Sequence, residues 1–184
     1  MQEVIATAEE KMEKTVASLK DSFATLRTGR ASPALFDKIR VDCYGDKSPM
    51  NQVANISVPE ARLIVIQPYD KSLIGEIEKA IRSSELSLNP SNDGKVIRIS
   101  VPPLTEERRK EIVKMAKGQA EHSRVAIRNI RRDGNDELKK MLKDSSITED
   151  GEKKGGEDLQ KLTDGFIGKV NQILEDKEKE IMEV

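Results

Sequence analysis

The residues of this chain best suited to chemistry are guanidinium and ammonium groups gathered on one side of a single segment. Between Thr105 and Lys143, apolar and small residues recur at Ile112, Ala116, Ala120, Ser123, Ile127, Ile130, Gly134, Leu138 and Met141. At about 100° per residue these fall on one face of a helix. Lys110, Lys117, Arg124, Arg128 and Arg131 lie beside that face, flanked by Lys114, Arg132 and Lys139. Glu111, Asp133 and Asp136 gather on the far side, and only Glu121, with Glu106 at the helix start, interrupts the basic strip. Charges sorted in this way present a field to an anionic partner. Arginine dominates the middle of the strip, where a planar fork of donors suits phosphate oxygens. The plainer use of such residues is solubility, and Glu107 and Glu111 stand three residues before Lys110 and Lys114, placed to pair with them.

Other constellations offer less. His122 is the sole histidine and falls on the acidic, outward side of the helix. Gly151-Glu152-Lys153-Lys154-Gly155-Gly156 lacks the spacing and the preceding strand of a phosphate-binding loop. The motifs GxSxG and HExxH are absent, so an enzyme is not expected. Cys43 is the only cysteine, which excludes an internal disulfide and a multi-cysteine zinc site; no metal or cofactor is expected. Aromatics make up 3% of the chain and tryptophan is absent, so stacking on single-stranded bases is disfavoured. The expected partner is folded RNA, met through its shape and backbone phosphates.

Three helices are needed to position the strip. Ile5, Ala8, Met12, Thr15, Leu19, Phe23 and Leu26 predict the first, the basic segment is the second, and Leu159, Leu162, Phe166, Val170 and Ile173 predict the third. Each has one apolar stripe that it cannot bury alone, and packing all three together with a turn near Ser145–Thr148 buries them. Between the first two helices the period changes. Ile39, Val41 and Cys43 alternate with polar residues as in a half-buried strand, followed by a hairpin turn over Tyr44–Pro49. Strands are expected over 55–58 and 62–67, a short helix around Leu73, Ile77, Ala80 and Ile81, a turn over Asn89–Gly94, and a last strand through Ile97, Ile99 and Val101. Two passes join this insertion to the helices, one through Thr28–Pro33 and one through Val101–Thr105, stiffened by proline.

The net charge of −1 conceals an asymmetry: residues 105–143 hold 12 basic and 7 acidic side chains, whereas residues 144–184 hold 6 basic and 12 acidic. The strip therefore works against an acidic background. No apolar run is long enough to span a bilayer, and Met1-Gln2-Glu3-Val4 lacks the order of a secretory signal, so a cytoplasmic protein without a membrane partner is expected.

Several stretches resemble the bacterial ribosome-recycling factor family: Leu26-Arg27-Thr28-Gly29-Arg30-Ala31-Ser32-Pro33, Asn89-Pro90, Pro102 through Lys110, Ile127 through Asp133, and Gln160-Lys161-Leu162-Thr163-Asp164. The resemblance spans the chain in order. It implies an α+β protein: an antiparallel three-helix bundle (residues 1–30 and 104–184) with an inserted small β/α/β domain (31–103), joined by a two-stranded hinge into an L shape comparable to transfer RNA. The hinge maps onto Thr28, Gly29, Arg30 and Ala31 going out and Pro103, Leu104 and Thr105 coming back. Ribosomal RNA contacts are implied at Arg109, Lys117, Arg128, Arg131 and Arg132, to which the strip itself adds Lys110 and Arg124. The implied partners of such a monomer are the 70S ribosome, chiefly large-subunit ribosomal RNA, and elongation factor G, whose GTP hydrolysis accompanies splitting of the spent ribosome into subunits. The chain looks atypical at Gly151–Gly156, where three glycines weaken the start of the third helix, and Gly118, Gly134, Gly165 and Gly168 also lower helix propensity.

Overall fold

Along the chain the elements run α1 (Gln2–Ala24), β1 (Arg40–Cys43), β2 (Asp46–Pro49), α2 (Met50–Val53), β3 (Ala54–Glu60), β4 (Leu63–Pro68), α3 (Ile74–Arg82), β5 (Pro90–Asn92), β6 (Ile97–Ser100), α4 (Glu106–Lys143) and α5 (Glu149–Met182). The computed structural model describes residues 1–183. Val184, the last residue assigned to the bundle by sequence, lies outside them. Two compact units emerge, one of Met1–Arg27 with Glu106–Glu183 and one of Thr28–Thr105. Thr28, Gly29, Arg30, Leu104 and Thr105 thus group with the strands.

In the helical unit, each helix buries most of the stripe that its sequence spacing defines, with Val16 buried where spacing predicts Thr15 and Ile130, Met141, Leu162 and Ile173 only half-buried. Ala8, Met12, Val16, Leu19 and Phe23 of α1 meet Ala116, Ala120 and Ile127 of α4 and Leu159, Phe166 and Val170 of α5 across two adjoining clusters. Alanine and serine at 116, 120 and 123 keep the middle of α4 slim, so its neighbours approach its backbone closely. A short turn after Lys143 reverses the chain, and Thr148 caps α5 by accepting the Gly151 amide at 3.1 Å. Thr163, fully buried in α5, satisfies its hydroxyl on the Leu159 carbonyl at 2.7 Å.

Two glycines form reciprocal notches. A Cβ at Gly134 would lie 2.9 Å from Leu159 Cδ1, and one at Gly155 would lie 2.8 Å from Leu138 Cδ1. Gly134 and Leu138 are one turn apart on α4, as are Gly155 and Leu159 on α5, so each helix offers a notch and a leucine to the other. Gly155 is therefore a packing residue in a fully formed helix. No such reason exists at Gly118, Gly165 or Gly168, where a Cβ would meet open space.

The second unit has its own core, in which Ile39, Val41, Ile97 and Ile99 pack with Phe36, Ile64, Ile66, Ile77 and Ile81. Its sheets are antiparallel: β1 pairs with β2, and four strands take the order β3-β4-β6-β5. The Tyr44–Pro49 turn is shorter than sequence spacing suggests. Tyr44 and Gly45 alone make it, both at positive φ as a two-residue hairpin requires, and Asp46–Pro49 is strand β2. Likewise Pro90–Asn92 is an edge strand, and the turn lies over residues 93–96. There Asp93 accepts the Val96 and Lys95 amides and an Arg98 N–H, which holds its carboxyl far below the usual range. The two passes of chain are tied to one place. Ala31 donates to the Ala61 carbonyl and Val101 to that of Arg62, each at 2.8 Å. Gly29, at φ +76°, sits where a Cβ would approach Leu104 Cγ to 2.9 Å.

The glycines give a test of the bundle packing. Replacing Gly118, Gly165 or Gly168 by alanine is expected to stabilise the protein by up to about 1 kcal/mol each, the helix-propensity difference. Gly134→Ala and Gly155→Ala add the same propensity but overpack a buried leucine, a penalty of roughly 1–3 kcal/mol. Denaturant unfolding should therefore place both below the three exposed variants; equal stabilisation at all five sites would refute the notch packing.

Candidate nucleic-acid interface

Burial fixes how α4 is rotated. Ile112, Ala116, Ala120, Ser123, Ile127, Gly134 and Leu138 point inward, leaving the basic strip at the edge of the packed face, where stems cover apolar surface and heads reach water. The seven candidate side chains are not equivalent.

Arg124 is largely enclosed, its side chain 19% exposed. Its Nε donates to Glu121 Oε2 at 2.8 Å and an NH1 hydrogen to Asn171 Oδ1 of α5, also at 2.8 Å. Arg128 shares the same carboxylate, with NH1 3.4 Å from Glu121 Oε1. Hydrogen bonding from Arg124, together with the charges of Arg124 and Arg128, holds the Glu121 carboxyl below its usual range. That contact is complete at neutral pH and is lost as pH falls through the lowered value. The one acid that interrupts the strip thus offsets part of two arginine charges.

Arg131 is held differently. Its NH1 donates to Gln160 Oε1 of α5 at 2.9 Å, and Gln160 Nε2 donates onward to Asp164 Oδ1 at 2.9 Å. Arg132 is exposed and has no ion pair or hydrogen-bond partner among the described residues. At the other end of the strip, Lys117 Nζ lies 3.6 Å from Glu178 of α5. Lys110 pairs with Glu106 at 2.9 Å, and Glu111 bonds Arg108 at 2.8 Å. The spacing-based pairs Glu107–Lys110 and Glu111–Lys114 are therefore replaced: Lys110 prefers the acid a full turn before it, and Glu111 turns to the arginine on its own side. Pairs this exposed hold charge loosely. Arg109 is half-buried, with its Nε withdrawn from water and without a hydrogen-bond partner among the described residues.

Sequence reasoning missed Gln160 and Asn171. Both are uncharged and exposed on α5, and only the i, i+4 spacing of Gln160 with Asp164 signals an ordered pair. His122 is exposed beside a shallow groove lined by Ser18, Leu19, Ser22, Met115 and Gln119. Among the described residues, no group of three or more His, Cys, Asp or Glu side chains is arranged to hold a metal ion, and no helix is long and apolar enough to cross a membrane.

The different roles of two arginines are testable without any partner. Arg124→Ala removes an interhelical hydrogen bond and a packed stem, and is expected to lower stability by about 1–2 kcal/mol. Arg132→Ala should stay within about 0.5 kcal/mol of the parent protein. Thermal melts showing both variants unchanged would mean that Arg124 does not tie α4 to α5.

The sequence profile of the family described as "Ribosome recycling factor" matches residues 19–182. The chain is 62% identical to the ribosome-recycling factor of Treponema denticola over 183 residues, covering 100% of this chain and 99% of that protein. It is 59% identical to the one from a Geobacillus species over 184 residues, covering all of both. Among solved structures, the chain is similar to a solution structure of the ribosome recycling factor, with TM-score 0.78 and 46% identity, covering 100% of this chain and 97% of that one. A second similar chain comes from models for the T. thermophilus ribosome recycling factor and the E. coli elongation factor G bound to the E. coli post-termination complex. It has TM-score 0.65 and 46% identity and covers 98% of each chain.

Proposed function

The chain belongs to the ribosome recycling factor family, and from that premise we propose that it binds the post-termination ribosome through ribosomal RNA and, with elongation factor G, splits it into subunits for reuse. The observation that carries the RNA contact is the single rotational setting of α4, which keeps the basic strip at the water-facing edge of the packed face from Lys110 to Lys139, roughly 44 Å at 1.5 Å per residue. A strip of that length spans many phosphates, and arginine forks fit phosphate pairs on a folded RNA surface.

Within the strip, Arg109, Lys110, Lys117, Arg124, Arg128, Arg131 and Arg132 are the proposed contacts, with unequal weight. Arg131 and Arg132 are free of any carboxylate partner among the described residues, so their full charge is available to RNA. Arg128 shares Glu121, and Arg124 is committed to Glu121 and to Asn171 of α5. The strongest contact is therefore assigned to Arg131 and a weaker one to Arg128. GTP hydrolysis is assigned to elongation factor G, which leaves the chain itself without an enzymatic step. Thr28, Gly29, Arg30 and Ala31, with Pro103, Leu104 and Thr105, are the proposed hinge: two passes restrict bending to fewer directions than one linker would. We further assign the protein to the cytoplasm, where ribosomes are, and to action as a monomer.

The test is a subunit-splitting assay on post-termination ribosomes. The chain with elongation factor G and GTP is expected to split them, and either factor alone should not; failure of the complete mixture to split them overturns the function. Binding to large subunits should fall steeply with salt, with roughly 0.7–0.9 log units lost per neutralised phosphate per decade of salt. Arg131→Ala should weaken binding about tenfold, the size of one charge-assisted contact, with a melting temperature that falls less than that of Arg124→Ala, since only one exposed hydrogen bond to Gln160 is lost. Arg128→Ala should do the same less severely, and Asp136→Ala on the acidic side should have no effect. Arg131→Lys should rescue only partly, because an ammonium lacks the fork. Normal binding by both alanine variants would remove this helix face from the mechanism.

A further inference from the structure

We propose that Gln160 and Asp164 are positioning residues for Arg131, so that the RNA-binding surface is built by α4 and α5 together; this rests on the reading of α4 as an RNA-binding helix. A primary carboxamide has one end that accepts and one that donates. Asp164, ionised, can only accept, so it takes the NH2 end of Gln160 at 2.9 Å and turns the carbonyl towards Arg131 NH1, also at 2.9 Å. The relay stands on fixed ground. Leu159 and Thr163 are fully buried in α5, which leaves Gln160 and Asp164, one turn apart, on the exposed side.

The chemistry of the partner matters as much as its place. A carboxylate would hold Arg131 at least as firmly but would offset its charge, as Glu121 does for Arg124 and Arg128. An amide oxygen orients the guanidinium and leaves the charge whole. Only one N–H is used, so the remaining donors can still grip a phosphate in a two-point contact. Ordering the long side chain before binding lowers the entropy lost on binding. The same device recurs where Arg124 NH1 donates to Asn171 Oδ1 at 2.8 Å, again a carboxamide of α5 on an arginine of α4.

A double-mutant cycle on the intact protein, read as affinity for purified large ribosomal subunits across a salt series, tests the relay. Gln160→Ala is expected to weaken binding about threefold to tenfold, the cost of ordering one long side chain. Its salt dependence should stay unchanged, because no charge is lost. Gln160→Glu should weaken binding and also reduce the salt slope, by up to roughly 0.9 log units per decade. In an Arg131→Ala background, Gln160→Ala should have no further effect. All variants should stay folded, each losing no more than the stability of an exposed hydrogen bond, about 0.5–1.5 kcal/mol. If Arg131→Ala binds weakly while Gln160→Ala matches the parent, or if the two losses add in full, the relay is overturned and the RNA-binding helix stands. If Arg131→Ala binds normally, the underlying reading falls and the relay with it.

Discussion

The rotation of α4 about its own axis is the constraint on which the helical unit depends. A helix of this length with charges on most of its circumference could settle in several orientations. Its buried stripe permits one, because Ala116, Ala120 and Ser123 admit close neighbours while Ile112, Ile127 and Leu138 must leave water. Axial register is fixed by the paired notches, Gly134 beneath Leu159 and Gly155 beneath Leu138. With rotation and register both set, Gln160 arrives opposite Arg131, Asn171 opposite Arg124 and Glu178 opposite Lys117. The electrostatic surface is thus a consequence of apolar packing on the adjoining face of the same helix.

The sheet-bearing unit follows a different logic. Its core is a separate set of isoleucines and valines, with a sheet closed at its edges by the short polar strand β5 and by β3, whose register slips between Ser57 and Glu60. Both passes of chain are pinned to Ala61 and Arg62 in the turn between β3 and β4, and a positive φ at Gly29 accommodates Leu104. That joint supplies what the proposed hinge needs: two strands of chain, a common anchor and a residue with backbone freedom.

Much of this was legible in the sequence. The three helices, their buried faces and the basic strip follow from the spacing of apolar residues, because a helix that buries one side cannot hide its period. Strands with strong alternation, through Val41 and through Ile97 and Ile99, were equally readable, as was the apolar run over residues 63–66. Strands β2 and β5 were not, since Asp46-Lys47-Ser48-Pro49 and Pro90-Ser91-Asn92 carry turn-forming residues and owe their extended form to pairing with a neighbour. The glycines were ambiguous for a related reason. Spacing places Gly134 on the apolar face of its helix and Gly118 away from it, but only the leucine facing each of Gly134 and Gly155 shows them to be notches. Gln160 and Asn171 carry no charge and stand outside the apolar stripe, so their role depends on a partner 29 and 47 residues away.

The central claim, that the apolar packing of α4 aims its basic strip at ribosomal RNA, is tested most directly by lysine acetylation of the unmodified protein, free and bound to large ribosomal subunits. Site-by-site reactivity can be read by mass spectrometry. Lys110, Lys117 and Lys139 on the strip should lose reactivity on binding, while Lys11 and Lys20 on the exposed side of α1 should react as in the free protein. Protection of the α1 lysines with the strip still fully reactive would contradict the account.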